Sequence, residues 1–230
     1  MSIAIKSTLR CISAGLHLEK LSPILERVAY WMRFSRWYVD NRTESFEPYI
    51  YERRYELYEK LIESEQLNRV PLDYLEFGVY KGESIEWWTR HISDRQSRFF
   101  GFDTFEGLPR DWNSNAKAGT FATGKIPQIS DVRCQMIVGR FAKTVYEFLS
   151  SYQRRERILA HLDADIYSST IVALTAIFPY LQPGDLLMFD EFSSPVDEFR
   201  AFLAFVSSFE VRYQIAGSIN NFNQVCFRIL

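Results

Sequence analysis

The sequence is poor in the residues that build most metal and redox sites, with 3 cysteines and 3 histidines in 230 positions. Cys11, Cys134 and Cys226 lie far apart and show no C-x-x-C spacing. That excludes a zinc site and a disulfide framework and predicts reduced thiols. Charge of one sign is also missing. With 27 Lys and Arg against 29 Asp and Glu, a net charge of −2 offers no positive field to nucleic acid. No run of about 18 apolar residues is present to cross a bilayer. Lys6, Arg10, Glu19 and Lys20 interrupt the apolar core that a signal peptide would need, so the expected location is the cytoplasm. The motifs G-x-S-x-G, H-E-x-x-H and G-x-x-x-x-G-K-S/T are absent, which removes support for a serine hydrolase, a zinc protease and a P-loop enzyme.

What is present is apolar and aromatic. Hydrophobic residues make up 47% of the chain, enough for the core of one α/β domain with a helical appendage. Residues 1–70 read as a helical arm or cap, with helices expected over Leu21–Val39 and Tyr49–Leu67. In the second, Tyr55, Leu57, Tyr58, Leu61 and Ile62 share one side. Such an aromatic face packs on its parent domain, joins a homodimer, or lies on a membrane surface; packing is the simplest of the three.

Residues 71–230 read as a second region, in which short apolar runs alternate with amphipathic stretches. Strands are expected at Tyr74–Val79, Phe99–Asp103, Cys134–Gly139, Ile158–Asp163, Asp185–Asp190, Val211–Ala216 and Gln224–Ile229. Helices are expected at Glu83–Ile92, Ala142–Ser150, Ser169–Leu181 and Val196–Ser208, with Ser168 or Ser169 as an N-cap. Strands alternating with helices predict a mostly parallel sheet covered on both faces. Only Gly217–Asn223 separates the last two strands, too short for a crossover, so the sheet must end in an antiparallel hairpin. Glu106–Asp131 is too long and polar for an idle connection and reads as a lid.

Ligands of open α/β sheets bind beyond the carboxyl ends of the strands, and those ends are glycine-rich or acidic here. Gly78 and Gly82 bracket the first strand-to-helix turn, where backbone amides can approach a ligand and Glu76 can accept from an ammonium group. Asp103 ends the second strand, the usual place of a ribose receptor, although a turn-capping Asp looks the same. The fourth strand ends at Asp163 and Asp165 and the fifth at Asp190 and Glu191. Four carboxylates converging in a partly buried site without a nearby Lys or Arg would repel one another, and a hard cation such as magnesium or calcium would relieve that. The simpler reading makes them solvated strand-end caps. His161 is a candidate base or a structural histidine.

The blocks Leu75–Gly82, Gly101–Pro109, His161–Thr170, Leu181–Asp185 and Phe189–Phe192 together resemble the macrocin O-methyltransferase family, from about Tyr74 to the C-terminus. The resemblance implies a Rossmann-like class I methyltransferase that moves a methyl group from S-adenosylmethionine to a sugar hydroxyl with help from Mg2+. It places Glu76, Phe77, Gly78, Tyr80, Gly82, Ser84, Asp103, Thr104 and Gly139 around the cofactor. It makes Asp163, Asp190 and Glu191 metal ligands, and gives Asp163, Asp165 and Asp190 the chemistry. Relatives often carry two aspartates where this chain has Asp190-Glu191, and another glycine where Tyr80 stands. A phenolic or other non-sugar acceptor, or a cofactor-binding scaffold without turnover, are the competing expectations.

Overall fold

The computed structural model describes residue 6, residues 18–42 and residues 46–230, so Arg10 and Cys11 lie outside the described residues. Two compact units are present, residues 1–41 and residues 42–230. The smaller contains α1 (Ser22–Asn41), two residues longer at its C-terminal end than the sequence pattern predicts. Leu21, Ile24, Leu25, Val28, Trp31, Met32 and Val39 are exposed along it. Among the described residues, no helix is long and apolar enough to cross a membrane.

The larger unit is built on a seven-stranded sheet. Its strands are β1 (Leu72–Phe77), β2 (Arg98–Asp103), β3 (Cys134–Val138), β4 (Arg157–Leu162), β5 (Leu186–Phe189), β6 (Tyr213–Ile219) and β7 (Gln224–Ile229), in the order β3-β2-β1-β4-β5-β7-β6. Five strands run parallel, and β7 is antiparallel to both β5 and β6. This is the Rossmann-like methyltransferase arrangement. Every residue of β1 and β5 is buried; β5 reads as an unbroken apolar run, whereas β1 carries two buried acids, Asp73 and Glu76.

Helices cover both faces. On one lie α2 (Arg54–Ser64) and α3 (Glu83–His91). Leu57, Tyr58, Leu61, Ile85 and Trp88 pack there against Tyr74, Leu159, Leu186, Met188 and Cys226. On the other lie α4 (Phe141–Leu149), α5 (Tyr167–Ile177) and α6 (Glu198–Ser208), over the stacked rings of Phe77 and Phe102 and the cluster Phe189–Phe202–Phe227. Cys134 and Cys226 are free thiols.

Two elements depart from the sequence pattern for identifiable reasons. The helix expected over Tyr49–Leu67 starts only at Arg54. Asn221 accepts from Glu47 N–H at 3.1 Å and Asn220 from Ile50 N–H at 3.1 Å, which holds that stretch extended. The first turn of α5 takes no hydrogen bond from Ser168 or Ser169; Asp197 accepts from Tyr167 N–H at 3.2 Å instead.

The backbones of β1 and β4 come close together just beyond their ends. Gly78 has φ +98°, and a Cβ built there would fall 1.7 Å from the Asp163 carbonyl oxygen. Gly78→Ala is therefore expected to destabilise the fold by about 3 kcal/mol or more, lowering Tm by roughly 10 °C. Gly184→Ala, at φ +96° with open space around it, should cost about 1 kcal/mol. Thermal unfolding of the two variants side by side checks the ranking, and equal losses would contradict it.

Candidate functional site

The sheet order reverses direction of winding between β1 and β4, and a cavity of about 470 Å3 opens beyond the strand ends at that point. Its walls combine the two groups of residues singled out by sequence. Gly78, Tyr80, Asp103 and Thr104 form one side, and Asp163, Asp165, Asp190 and Glu191 another. The segment after β2 contributes Leu108, Trp112 and Phe121. It has no helix or strand but is pinned at several points. Leu108 N–H donates to Thr120 carbonyl at 2.8 Å, and the Trp112 indole donates to Asp197 at 3.0 Å.

On the glycine side, Asp103 organises the turn. Its Oδ2 accepts from the N–H groups of Val79 and Tyr80, both at 2.8 Å, and its Oδ1 from Phe105 N–H at 2.8 Å. The turn is thus held in shape by the same carboxylate that borders the cavity. Gly78 leaves the strand end free of a side chain just where it abuts β4.

Five residues expected near a cofactor do not line this cavity. Phe77 points to the opposite face of the sheet, stacked on Phe102 at 4.9 Å, because strand residues alternate sides. Ser84 is buried within α3. Gly82 begins α3 at φ +85° with Pro127 and Ile129 against it, and Gly139 N–H donates to the Asp103 carbonyl at 2.8 Å. Glu76 is 1% exposed and lies beneath the cavity, accepting from the Tyr74 hydroxyl at 2.5 Å. That hydroxyl is also 2.7 Å from His161 Nδ1. The register sets this chain, since Glu76 pairs with His161 and His161 with Met188 across three strands.

The acidic side is crowded with carboxyl groups and largely out of water. Burial pushes the Glu191 carboxyl up to about 8, with Asp190 and Asp165 adding to it. Burial and Asp190 raise Asp165 to about 7, and the same two causes hold Asp163 well above its ordinary range. Burial also lifts Glu76 to about 8. Asp190 differs: burial opposes its ionisation, but His161 and Arg54 beside it hold its carboxyl below the usual value. Burial keeps His161 neutral by lowering its pKa.

Sequence reasoning missed four of the residues that assemble this rim. Arg54, 3% exposed, brings a guanidinium to 3.6 Å from Asp190, which corrects the expectation that no cation stands near the carboxylates. Glu198, fully buried, accepts from Glu191 N–H at 2.9 Å and from Ala164 N–H at 3.4 Å, tying the ends of β4 and β5 together. Asn223 and Gln224 donate to the Asp190 carbonyl at 2.9 and 3.0 Å. A signal for Arg54 existed. It stands three, four and seven residues before Leu57, Tyr58 and Leu61, on the apolar stripe of its helix.

His161 Nε2 and Asp190 Oδ1 are buried, 3.6 Å apart, and neither has a hydrogen-bond partner. Together with Asp163 they offer three ligand atoms within 4.8 Å of one another. A neutral imidazole and two carboxylates suit a divalent cation, and unpaired buried polar atoms are the feature that such an ion would satisfy. Glu191 is outside that trio; it borders the cavity and accepts from Asn223 at 3.4 Å.

A family model described as a methyltransferase domain matches residues 75–192. Among solved structures, the calicheamicin methyltransferase CalS11 is similar in fold, with 22% identity, 88% of this chain and 92% of that chain covered, and a TM-score of 0.59. The O-methyltransferase NovP is similar over 76% of this chain and 79% of its own, with 18% identity and a TM-score of 0.58. No protein of curated function matches the sequence.

The raised carboxyls make a pH prediction. Glu76, Asp165 and Glu191 hold their protons more tightly folded than unfolded. Their contribution to stability is complete below about pH 4, their unfolded range, and is lost as pH rises through about 7 to 8. In chelator, Tm should fall by about 5 °C or more between roughly pH 5 and 8.5, and Glu191→Gln should flatten that slope. A wild-type profile no steeper than the variant's would contradict the assigned charge crowding.

Proposed function

The chain belongs to the methyltransferase-domain family, and from that premise we propose its reaction: methyl transfer from S-adenosylmethionine to a hydroxyl of a sugar or glycosylated small molecule, assisted by magnesium. The observation that carries this reading is the meeting of the glycine turn and the carboxylates of β4 and β5 at one cavity. The turn from Gly78 to Tyr80 and Asp103 would hold the donor, and Asp163 and Asp190, with His161, would hold the ion. Donor and ion supply an activated methyl group and a hydroxyl of lowered pKa.

The protein's own part is alignment and proton removal. Asp165 faces the cavity with a carboxyl pushed up to about 7, well placed to take a proton near neutral pH. In the transfer, the acceptor oxygen gains the methyl group as the carbon–sulfur bond breaks, and the hydroxyl proton passes to that carboxylate. Residues 106–131 act as the lid, with Leu108, Trp112 and Phe121 excluding water from the cavity.

A sugar acceptor is supported by the likeness of the sequence blocks to macrocin O-methyltransferases. It agrees with the description of CalS11 as a TDP-rhamnose 3′-O-methyltransferase. Tyr51 and Trp112 on the cavity wall give a pyranose ring apolar surfaces to rest on.

Labelled S-adenosylmethionine with a panel of deoxysugar glycosides and phenols tests the reading. Asp163→Asn and Asp190→Asn should each lower kcat/KM by about 100-fold or more, with binding of S-adenosylhomocysteine changed by no more than about three-fold. Full turnover in either variant, or turnover confined to phenols, would contradict it.

A further inference from the structure

The acidic rim gathers four carboxyl groups against two cations. Asp163, Asp165, Asp190 and Glu191 border one cavity, and the cations among the described residues that line it are Arg54 and Arg140. Arg140 is exposed where the chain turns into α4, whereas Arg54 is buried at the first residue of α2.

The way Arg54 is held is unusual for a buried guanidinium. Its Nη1 is 3.6 Å from Asp190 Oδ2 and its Nη2 is 3.9 Å from Glu83 Oε2, both beyond hydrogen-bond length. Its Nε has no partner, and the Tyr51 ring lies 4.0 Å from its central carbon. A buried Arg–carboxylate pair normally closes into a bidentate fork. Here the guanidinium supplies charge to the rim without engaging the carboxylate, and Asp190 Oδ1 and His161 Nε2 stay unpaired beside it.

Withdrawal of Arg54 is restricted by a clamp. The Asn220 side chain accepts from Ile50 N–H at 3.1 Å and donates to the Ile50 carbonyl at 2.9 Å. Asn221 does the same to Glu47, at 3.1 and 2.6 Å. The segment leading into α2 is thereby fastened to the β6–β7 hairpin, whose next residues, Asn223 and Gln224, hold the Asp190 backbone. One hairpin fixes both the cation and the carboxylate it faces.

We propose that Arg54 is the standing counter-cation of the acidic rim, and that a divalent ion binding there must share Asp190 with it, so that Arg54 sets the affinity of the site. The proposal rests on the metal-assisted reading above. A clamped positive charge shares Asp190 with the incoming ion, and repulsion between the two weakens binding. While the ion is away, the same charge offsets the crowding of carboxylates and keeps the rim assembled.

Calorimetric titration of the full chain with Mn2+ near neutral pH tests this directly. Arg54→Met should bind Mn2+ about ten-fold more tightly than wild type or better, and so should Arg54→Gln, a polar variant that serves if the first fails to fold. Arg54→Lys, which keeps the charge, should stay within about three-fold of wild type. Tightening in the neutral variants with no detectable binding by wild type would equally support the proposal. Wild-type binding with no tightening in the neutral variants, or equal tightening in Arg54→Lys, would overturn it and leave the metal-assisted reading intact. Absence of Mn2+ binding in every variant would overturn both.

Discussion

Carboxylates gathered out of water at one strand junction repel one another, and a fold that gathers them must supply positive charge or protons in return. That constraint shapes this protein more than any other. Asp163, Asp165, Asp190 and Glu191 meet at the ends of β4 and β5, and each response to their crowding is visible. Protons are retained on Asp165 and Glu191, Arg54 is drawn in from α2, and neutral His161 waits beside Asp190. Glu198 then uses its two oxygens to fix the backbones that carry the cluster.

The same junction explains why the glycine turn and the acidic rim share one cavity. Gly78 brings the end of β1 against the Asp163 carbonyl, closer than any side chain would permit. Asp103, from the neighbouring strand on the other side, braces the turn that follows with two backbone hydrogen bonds. The reversal of sheet order between β1 and β4 leaves a crevice above this contact, and the long segment after β2 walls it with Trp112 and Phe121. In the proposed reaction, two adjacent strand ends would align a donor on one side with a deprotonated acceptor on the other.

Much of this was legible in the amino-acid order because strands end where the pattern of burial ends. The acids at 163, 165, 190 and 191 stand directly after apolar runs, so placing the strands placed the carboxylates. The hairpin of β6 and β7 followed from the seven residues between 217 and 223. What stayed hidden depends on distant partners. Asn220 and Asn221 hold residues 47 and 50 extended, and that shortens α2 in a way that local propensity cannot reveal. Asp197 takes the capping role that Ser168 and Ser169 suggested, because its position is set by the packing of α6 on α5. Phe77 looked like part of a cofactor turn, but the two-residue period of β1 turns it to the aromatic layer on the far side. Arg54 and Glu198 lie on apolar helical stripes, where a charge signals a buried partner, but the stripe alone does not name that partner.

The account stands or falls on whether the rim of β4 and β5 receives a cation next to a bound nucleoside. Crystals grown with S-adenosylhomocysteine and Mn2+, measured at the manganese edge, locate the ion without reference to turnover. The account predicts an anomalous peak bounded by His161, Asp163 and Asp190, with the nucleoside lying along the Gly78 turn and Asp103. A nucleoside in that place with no peak at the rim, or a peak on carboxylates elsewhere, would contradict it.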